Sequence, residues 1–386
     1  MRILVFSASY HPVLGGLQTA VQALAAEWQA TGHDIQIITQ RYPRRLPAYE
    51  KIDGLSVWRR LFLTPEWRYI RYGRPDLFLT GWYYYYTTQT WLDRKMQEFQ
   101  PDVVNLHFPD AQIPFVLKLR ERYKFRLVVS LHGHDVERWF QDDNVAKPDK
   151  QPKSLQLRQV LQSADFITTC SSYLLKRSIC LEAAIRHKGI NIPNGVNLAR
   201  FQDHTPYNHS RPYILAFGRL TKKKGFDLLL QSLATQSQRN KEYDLLLAGD
   251  GELSSALYIQ AERLGFRERV KLLGRITPEQ IVHLLNGCLA LVIPSREEPF
   301  GIVALEGLAA GKPVLATHVG GLPEILAGSS NRLVEPTIDG IVSGLNWLED
   351  DVNWSSLAQK NRRLAASYTW TKAAHKYISV FQRPNK

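Results

Sequence analysis

The stretch CLALVIPSREEPFGIVALEGLAAGKPVLATHVGGLPEIL, residues 288–326, decides the fold class of this 386-residue chain. It runs from a short apolar strand into an acidic loop, through Gly301 into a helix, past Gly311 and Pro313 into a second strand, and ends on a Gly-Gly turn. Strand, loop, helix, strand in that order is the unit of a parallel sheet covered by helices. Glu298 then stands on the loop at the carboxyl end of the first strand, and Glu306 lies about one turn into the helix. Two acids so placed face one ligand at different depths. Carboxylates accept hydrogen bonds from hydroxyls, and the N–H groups at the helix start, near Phe300, Gly301, Ile302 and Val303, suit a phosphate. A ligand carrying both hydroxyls and phosphates is expected; solvated surface acids are the plain alternative.

Working outward, the same alternation of short apolar runs and longer amphipathic stretches fills both halves of the chain, giving an α/β protein with two Rossmann-like domains. The first half offers strands at Ile3–Ser7, Ile35–Thr39, Val103–His107, Leu127–His132 and Phe166–Cys170. The second offers Tyr213–Phe217, Tyr243–Ala248, Val270–Leu273, Ala290–Ile293 and Val314–Thr317. Between the first two strands, Val21, Leu24, Ala25 and Trp28 share one helical face and Gly32 ends the helix. The hinge falls in NIPNGVNLARFQDHTPYNHSRP, near residues 195–212, so the expected domains are 1–195 and 196–367. The tail, about 368–386, reads as an amphipathic helix that either caps the second domain or crosses back onto the first. Ligands of open parallel sheets bind at the carboxyl ends of the strands, so chemistry is sought on the strand-to-helix loops.

Two such loops carry suitable groups. In SYHPVLGGLQTA, Gly15 and Gly16 precede a helix and leave backbone N–H groups open to an anion, or else make a tight turn needing positive φ. In GRLTKKKGFDLLLQSL, Arg219 at the strand end and Lys224 before Gly225 suit a diphosphate, the first as a fork and the second as a point charge. Lys222 and Lys223 read as a solvated run.

Composition narrows the classes. With 44% apolar and 22% charged residues the chain is neither disordered nor collagen-like. Lysine and arginine number 49 against 36 acids, a formal charge of +13 that favours an anionic partner. No RRM, zinc-finger or helix-turn-helix signature accompanies that charge, so nucleic acid is not expected. Cys170, Cys180 and Cys288 form no CxxC and have no histidines at zinc-ligand spacing, which fits a reduced, cytoplasmic, zinc-free protein. The opening MRILVFSASYHP holds a four-residue apolar run, too short for a signal-peptide core, and no run approaches the roughly 18 apolar residues of a membrane span. Membrane contact is therefore expected to be peripheral, on the inner face.

One region concentrates the charge. Arg41, Arg44, Arg45, Lys51, Arg59, Arg60, Arg68, Arg71 and Arg74 stand against Glu50, Asp53 and Glu66, interleaved with Trp58, Phe62, Trp67, Tyr69 and Tyr72 and followed by GWYYYY at 81–86. Such a mixture suits an anionic membrane interface, aromatic stacking on sugar rings, or a helical core with a solvated rim. The expected use is contact of the 41–86 region with a lipid-linked or polymeric acceptor, with Arg59 and Arg60 among the cations that meet it.

The ordered set of motifs resembles retaining glycosyltransferases of family 4, with the two-domain GT-B fold. EPFGIVALE, from Glu298 to Glu306, is similar to their E-x7-E signature, and GGLQ (15–18), IPNGVN (192–197), GRLTKKKG (218–225), LLAGDGEL (246–253) and AAGKPVLATHVGGLPE (309–324) match the other blocks in order. The resemblance implies a UDP- or GDP-sugar donor on the second domain, with Glu298 near the sugar hydroxyls, Glu306 on the ribose, Arg219 and Lys224 on the diphosphate, and the backbone around Ile276 against the base. Gly16 would approach the diphosphate from the first domain, and His132, in VVSLHGHD, would lie beside the transferred sugar. His107 and His134 read instead as structural hydrogen-bonding residues. The implied reaction is transfer to a glycan or lipid-linked acceptor with retention, in cell-surface polysaccharide or glycolipid synthesis. The chain contains no Asp-x-Asp, the common metal-diphosphate motif, so no cofactor and no metal are expected. A GT-B sugar-nucleotide epimerase and a non-catalytic nucleotide-sugar-binding protein are the rival readings.

Overall fold

The computed structural model describes residues 1–13, 15–142, 145–146, 152–202, 205–237, 243–348 and 354–384. The chain divides into two compact units, Met1–Pro193 with Trp370–Lys386, and Asn194–Thr369.

The first unit contains β1 (Arg2–Ser7), β2 (Asp34–Gln40), β3 (Tyr49–Ile52), β4 (Leu55–Arg60), β5 (Val103–His107), β6 (Arg126–Leu131), a separate small pair β7 (Phe140–Asp142) and β8 (Val145–Ala146), then β9 (Phe166–Thr169) and β10 (Gly189–Asn191). Its sheet has the order β10-β9-β6-β5-β1-β2-β4-β3, parallel throughout except for the β3–β4 pairing. The central strand β5, VVNLH, is buried along its whole length, as a parallel strand covered on both faces must be. The terminal helix Trp370–Gln382 belongs to this unit: Trp28 of the first helix, Gly16–Ala30, lies 5.6 Å from the Tyr377 ring and 5.3 Å from Phe381.

Strands β3 and β4 depart from the expected pattern and change the reading of the basic region. They are joined by Asp53 and Gly54, at φ 50° and 81°, the two left-handed positions of a tight hairpin. β4 alternates buried and half-buried residues, and its Arg59 points inward: it is 1% exposed, pairs with Glu50 and donates to the His11 carbonyl at 2.6 Å. Arg60 lies over the Trp91 ring at 4.0 Å. Neither arginine is thus a free surface cation, and their expected contact with an acceptor surface is corrected here. The exposed aromatic surface lies further on, in the helices Trp67–Arg71 and Pro75–Phe99 and the turn between them, where Trp67, Tyr72, Trp82, Tyr83 and Tyr86 are all more than half exposed.

The second unit contains β11 (Tyr213–Phe217), β12 (Asp244–Ala248), β13 (Val270–Gly274), β14 (Ala290–Ile293), β15 (Val314–Thr317) and β16 (Arg332–Val334). All six are parallel in the order β13-β12-β11-β14-β15-β16. Leu229, Leu230, Leu245, Leu247, Val292, Leu315 and Leu345 fill the core between sheet and helices. Counted from β11 this is the dinucleotide-fold order, whose direction reverses between β11 and β14. The loops leaving those two strands are therefore where a ligand is expected.

Candidate active site

At that reversal, the loop after β11 and the loop after β14 are stitched together. The Lys223 carbonyl accepts from the Arg296 N–H at 2.7 Å and the Glu297 N–H at 3.2 Å, and the Lys223 ammonium pairs with Glu297. Arg296 grips Asp227 with both terminal nitrogens, at 2.6 and 2.8 Å. Two glycines permit this closeness. A Cβ on Gly225 (φ +65°) would stand 1.9 Å from the Pro294 carbonyl oxygen, and one on Gly320 (φ +59°) would stand 1.8 Å from that of Glu298. No other residue fits at either point.

On this frame Lys224 and Glu298 meet directly, Nζ to Oε2 at 2.5 Å, with the Glu298 side chain only 10% exposed. Arg219, two residues past β11, is exposed at the same end of the sheet. Gly301, at φ +107°, opens the helix Ile302–Ala309 without a side-chain cap, so the N–H groups of Ile302 and Val303 have no acceptor inside the helix. Phe300 is buried before it. Glu306, the fifth residue of the helix, is half-buried; burial pushes its carboxyl up to about 7, against the opposing pull of Arg200. Ile276 follows β13, half-buried, just before the Thr277 cap of the next helix. The cluster thus presents cations, free backbone donors and two differently held carboxyls at one sheet end.

The first unit builds its chemistry differently. Gly15 is extended and Gly16 is the first residue of a 15-residue helix with no side-chain cap, so the alternative of a positive-φ turn does not hold there. His132 follows β6, and its backbone N–H, with that of Gly133, is held by the buried carboxylate of Asp135 at 2.7–3.1 Å. Burial raises the Asp135 carboxyl to about 6 against these same donors. The His132 ring bonds His107 at 2.9 Å, Nε2 to Nδ1, and His107 Nε2 in turn bonds Asn105 Oδ1 at 2.7 Å. Burial holds both imidazoles low, His132 at about 4. His107 is the structural hydrogen-bonding residue expected, and its partner is His132 itself. His134 is exposed, its ring 6.5 Å from Phe108, which takes φ +54° directly after β5.

Asp135 and Asn105 were not legible as site residues. The first had a signal, an acid three residues after a strand-end histidine, able to cap the turn between them. The second is an asparagine inside an apolar strand, visible only once its neighbours are known. A concavity of the first unit lined by Arg2, Asp102, Arg120 and Phe381 among others lies at the opposite, amino-terminal end of the strands and involves none of these groups.

A chain of two α/β units, each built on a largely parallel sheet with polar groups at the carboxyl ends of its strands, has the architecture of a GT-B protein. Two family models match consecutively: glycosyltransferase family 4 over residues 14–200 and glycosyl transferases group 1 over 200–366. An uncharacterized glycosyltransferase of Methanocaldococcus jannaschii is 28% identical, with 99% of this chain and 98% of that protein covered. Glycogen synthase of Mycobacterium tuberculosis is 25% identical over 99% of this chain and 94% of its own. Among solved structures, sucrose-phosphate synthase from Thermosynechococcus elongatus superposes with a TM-score of 0.76 at 18% identity, covering 99% and 98% of the two chains. Anabaena HepE in complex with UDP and glucose gives 0.72 at 18% identity, with 98% of each covered. The chain belongs to the group 1 glycosyltransferases, with the GT-B fold.

Proposed function

We propose that this glycosyltransferase moves a sugar from a UDP- or GDP-sugar to a glycan or lipid-linked acceptor, with retention at the anomeric carbon and without a metal, in cell-surface polysaccharide or glycolipid synthesis. The observation that carries the donor site is the cluster of Lys224, Glu298 and the open helix start at Ile302. Lys224, Arg219 and the free N–H groups of Gly301, Ile302 and Val303 hold the diphosphate, while Glu298 accepts from sugar hydroxyls and Glu306 from the ribose. The backbone around Ile276 lies against the base. The family resemblance assigns Gly15 and Gly16 to the diphosphate and His132 to the transferred sugar. In the reaction the bond from the anomeric carbon to the diphosphate oxygen breaks and the acceptor oxygen bonds to the same face. The acceptor proton passes to the departing phosphate. Arg219 and Lys224 stabilise the charge that develops on that leaving group, which is the part a divalent ion plays in other transferases.

The acceptor side rests on the helices Trp67–Arg71 and Pro75–Phe99. Exposed Trp67, Trp82, Tyr83 and Tyr86, with Arg68, Arg71 and Arg74 nearby, suit an anionic lipid interface and peripheral attachment at the inner membrane face. No described helix is long and apolar enough to cross a membrane. Flotation with vesicles containing anionic lipid tests this: binding lost on Trp82→Ser with Arg71→Glu supports the assignment, and full binding by that variant removes it.

The donor site is tested by thermal shift of the purified protein against UDP-, GDP- and ADP-sugars, with and without EDTA. UDP-glucose heads the panel because HepE binds UDP and glucose. A shift by one nucleotide class that survives EDTA supports the reading; no shift by any nucleotide sugar on folded protein overturns it.

A further inference from the structure

The hydrogen bonds beneath His132 have only one consistent assignment of protons. Asn105 Nδ2 lies 3.0 Å from the Val128 carbonyl and 2.9 Å from Ser130 Oγ. A peptide carbonyl has no proton to give, so the amide corner facing it is the NH2. Asn105 Oδ1 therefore faces His107 Nε2 at 2.7 Å, and an acceptor there requires that nitrogen to carry the proton. His107 is fully buried among apolar strand residues and uncharged groups, so its ring is neutral and its Nδ1 is bare. His132 Nε2, 2.9 Å away, must then donate to it. The His132 ring is half-buried against His107, and desolvation holds its imidazole down at about 4, so it is neutral and its Nδ1 is a lone pair; among the described residues that atom bonds no protein group. Asp135 is already spent on the backbone N–H groups of His132 and Gly133. Thr168 donates to Ser130 Oγ at 2.8 Å and lies 3.0 Å from the Tyr377 hydroxyl, so the terminal helix closes the network from below.

We infer that His132 meets its ligand only as a hydrogen-bond acceptor, through Nδ1, and that His107 and Asn105 are positioning residues that fix this tautomer. The group facing His132 is accordingly a hydrogen-bond donor, proposed here to be a hydroxyl of the donor sugar, and not a carbonyl, ether or phosphate oxygen. The inference rests on the proposal that His132 meets the donor sugar, but the tautomer itself does not. It also gives the site a specificity: a sugar whose hydroxyl at that position is replaced by fluorine, which accepts but cannot donate, is treated like the deoxy sugar.

The tautomer is read directly by two-bond nitrogen–proton correlation spectra of the full chain labelled with nitrogen-15 in histidine, the His132 signals being assigned with His132→Gln. The expected spectrum has protonated Nε2 and bare Nδ1 at His132, and in Asn105→Leu the preference is lost. Protonated Nδ1 at His132 in the unaltered protein overturns the inference, whether or not the variant folds. With the donor found in the thermal-shift panel, one fluoro-for-hydroxyl analogue is expected to lose about tenfold in kcat/KM, matching its deoxy counterpart, and to lose nothing further in His132→Leu. A fluoro analogue at every hydroxyl position that works as well as the parent overturns the specificity. The expected tautomer together with unchanged donor kinetics in His132→Leu refutes instead the placement of His132 at the sugar.

Discussion

The two units hold their candidate groups in opposite ways. In the second, the loops after β11, β14 and β15 are fixed by backbone contacts that only glycine permits, leaving charged side chains at the surface of the frame. In the first, the His132 ring is fixed by side chains, through a buried chain from His107 to Asn105. Backbone-built sites are written in sequence as glycines and prolines at fixed places, so they are read readily. Side-chain networks are assembled from residues distant in sequence, and no spacing records them.

The contrast is broken most severely at the glycines. Gly320→Ala forces a Cβ to within 1.8 Å of a backbone oxygen at φ +59°, and unfolding measurements on the full chain are expected to show a loss of about 3 kcal/mol or more. An alanine tolerated there would mean that the loop is not held as described. Next, Lys224→Ala removes the partner of Glu298 and a cation proposed for the leaving group. It is expected to lower kcat/KM by roughly 100- to 1,000-fold, with the far-UV circular dichroism unchanged. A fall of less than about threefold would take Lys224 out of the transfer step.

Acidity gives a milder test. Glu306 is raised to about 7, so its carboxyl is neutral in mildly acid solution and ionised above neutrality. If the carboxylate receives the ribose hydroxyls, donor affinity strengthens between pH 6 and 8 by up to about tenfold, and Glu306→Gln flattens the profile. The stability linkage has the opposite sign. A carboxyl raised on folding favours the native state while protonated, and that contribution is lost as pH rises through about 7. Calorimetric melting at pH 6 and pH 8 checks it, with Glu306→Gln as the flat control. The smallest effect belongs to Gly15→Ala. Its backbone is extended and the added Cβ would meet only the movable end of the Gln18 side chain, at 2.8 Å, so a change below about 1 kcal/mol is expected by the same unfolding measurement.

The strands buried on both faces were legible as apolar runs, and the expected ends of β1, β5, β11, β14 and β15 fall within a residue of those observed. Two kinds of strand were not. β10 and β16 have three residues each, too few to show a period, and β3 with β4 hid under their charge. There the Asp53-Gly54 pair was the stronger signal, because two successive left-handed positions demand a tight hairpin whatever the charge of the flanking residues. Reading Arg59 by its charge placed it at a surface; the alternation Leu55, Val57, Arg59 along β4 places it inward with its apolar neighbours. Arg219, Lys224 and Glu298 could be placed at one sheet end in advance because each lies on a loop leaving a strand, and Glu306 because it sits early in the helix that follows β14. The pairing of Lys224 with Glu298 could not, since it depends on how two loops 74 residues apart meet.

The central claim is transfer with retention and without a metal, and the anomer first released tests it most directly. Proton NMR would follow the purified protein in EDTA with the α-linked nucleotide sugar that it binds, water serving as acceptor before mutarotation mixes the products. The account predicts that the α-sugar appears first and that Lys224→Ala abolishes its release. The β-sugar appearing first, a donor converted only to its epimer, or turnover that stops in EDTA and returns with a divalent ion would contradict it.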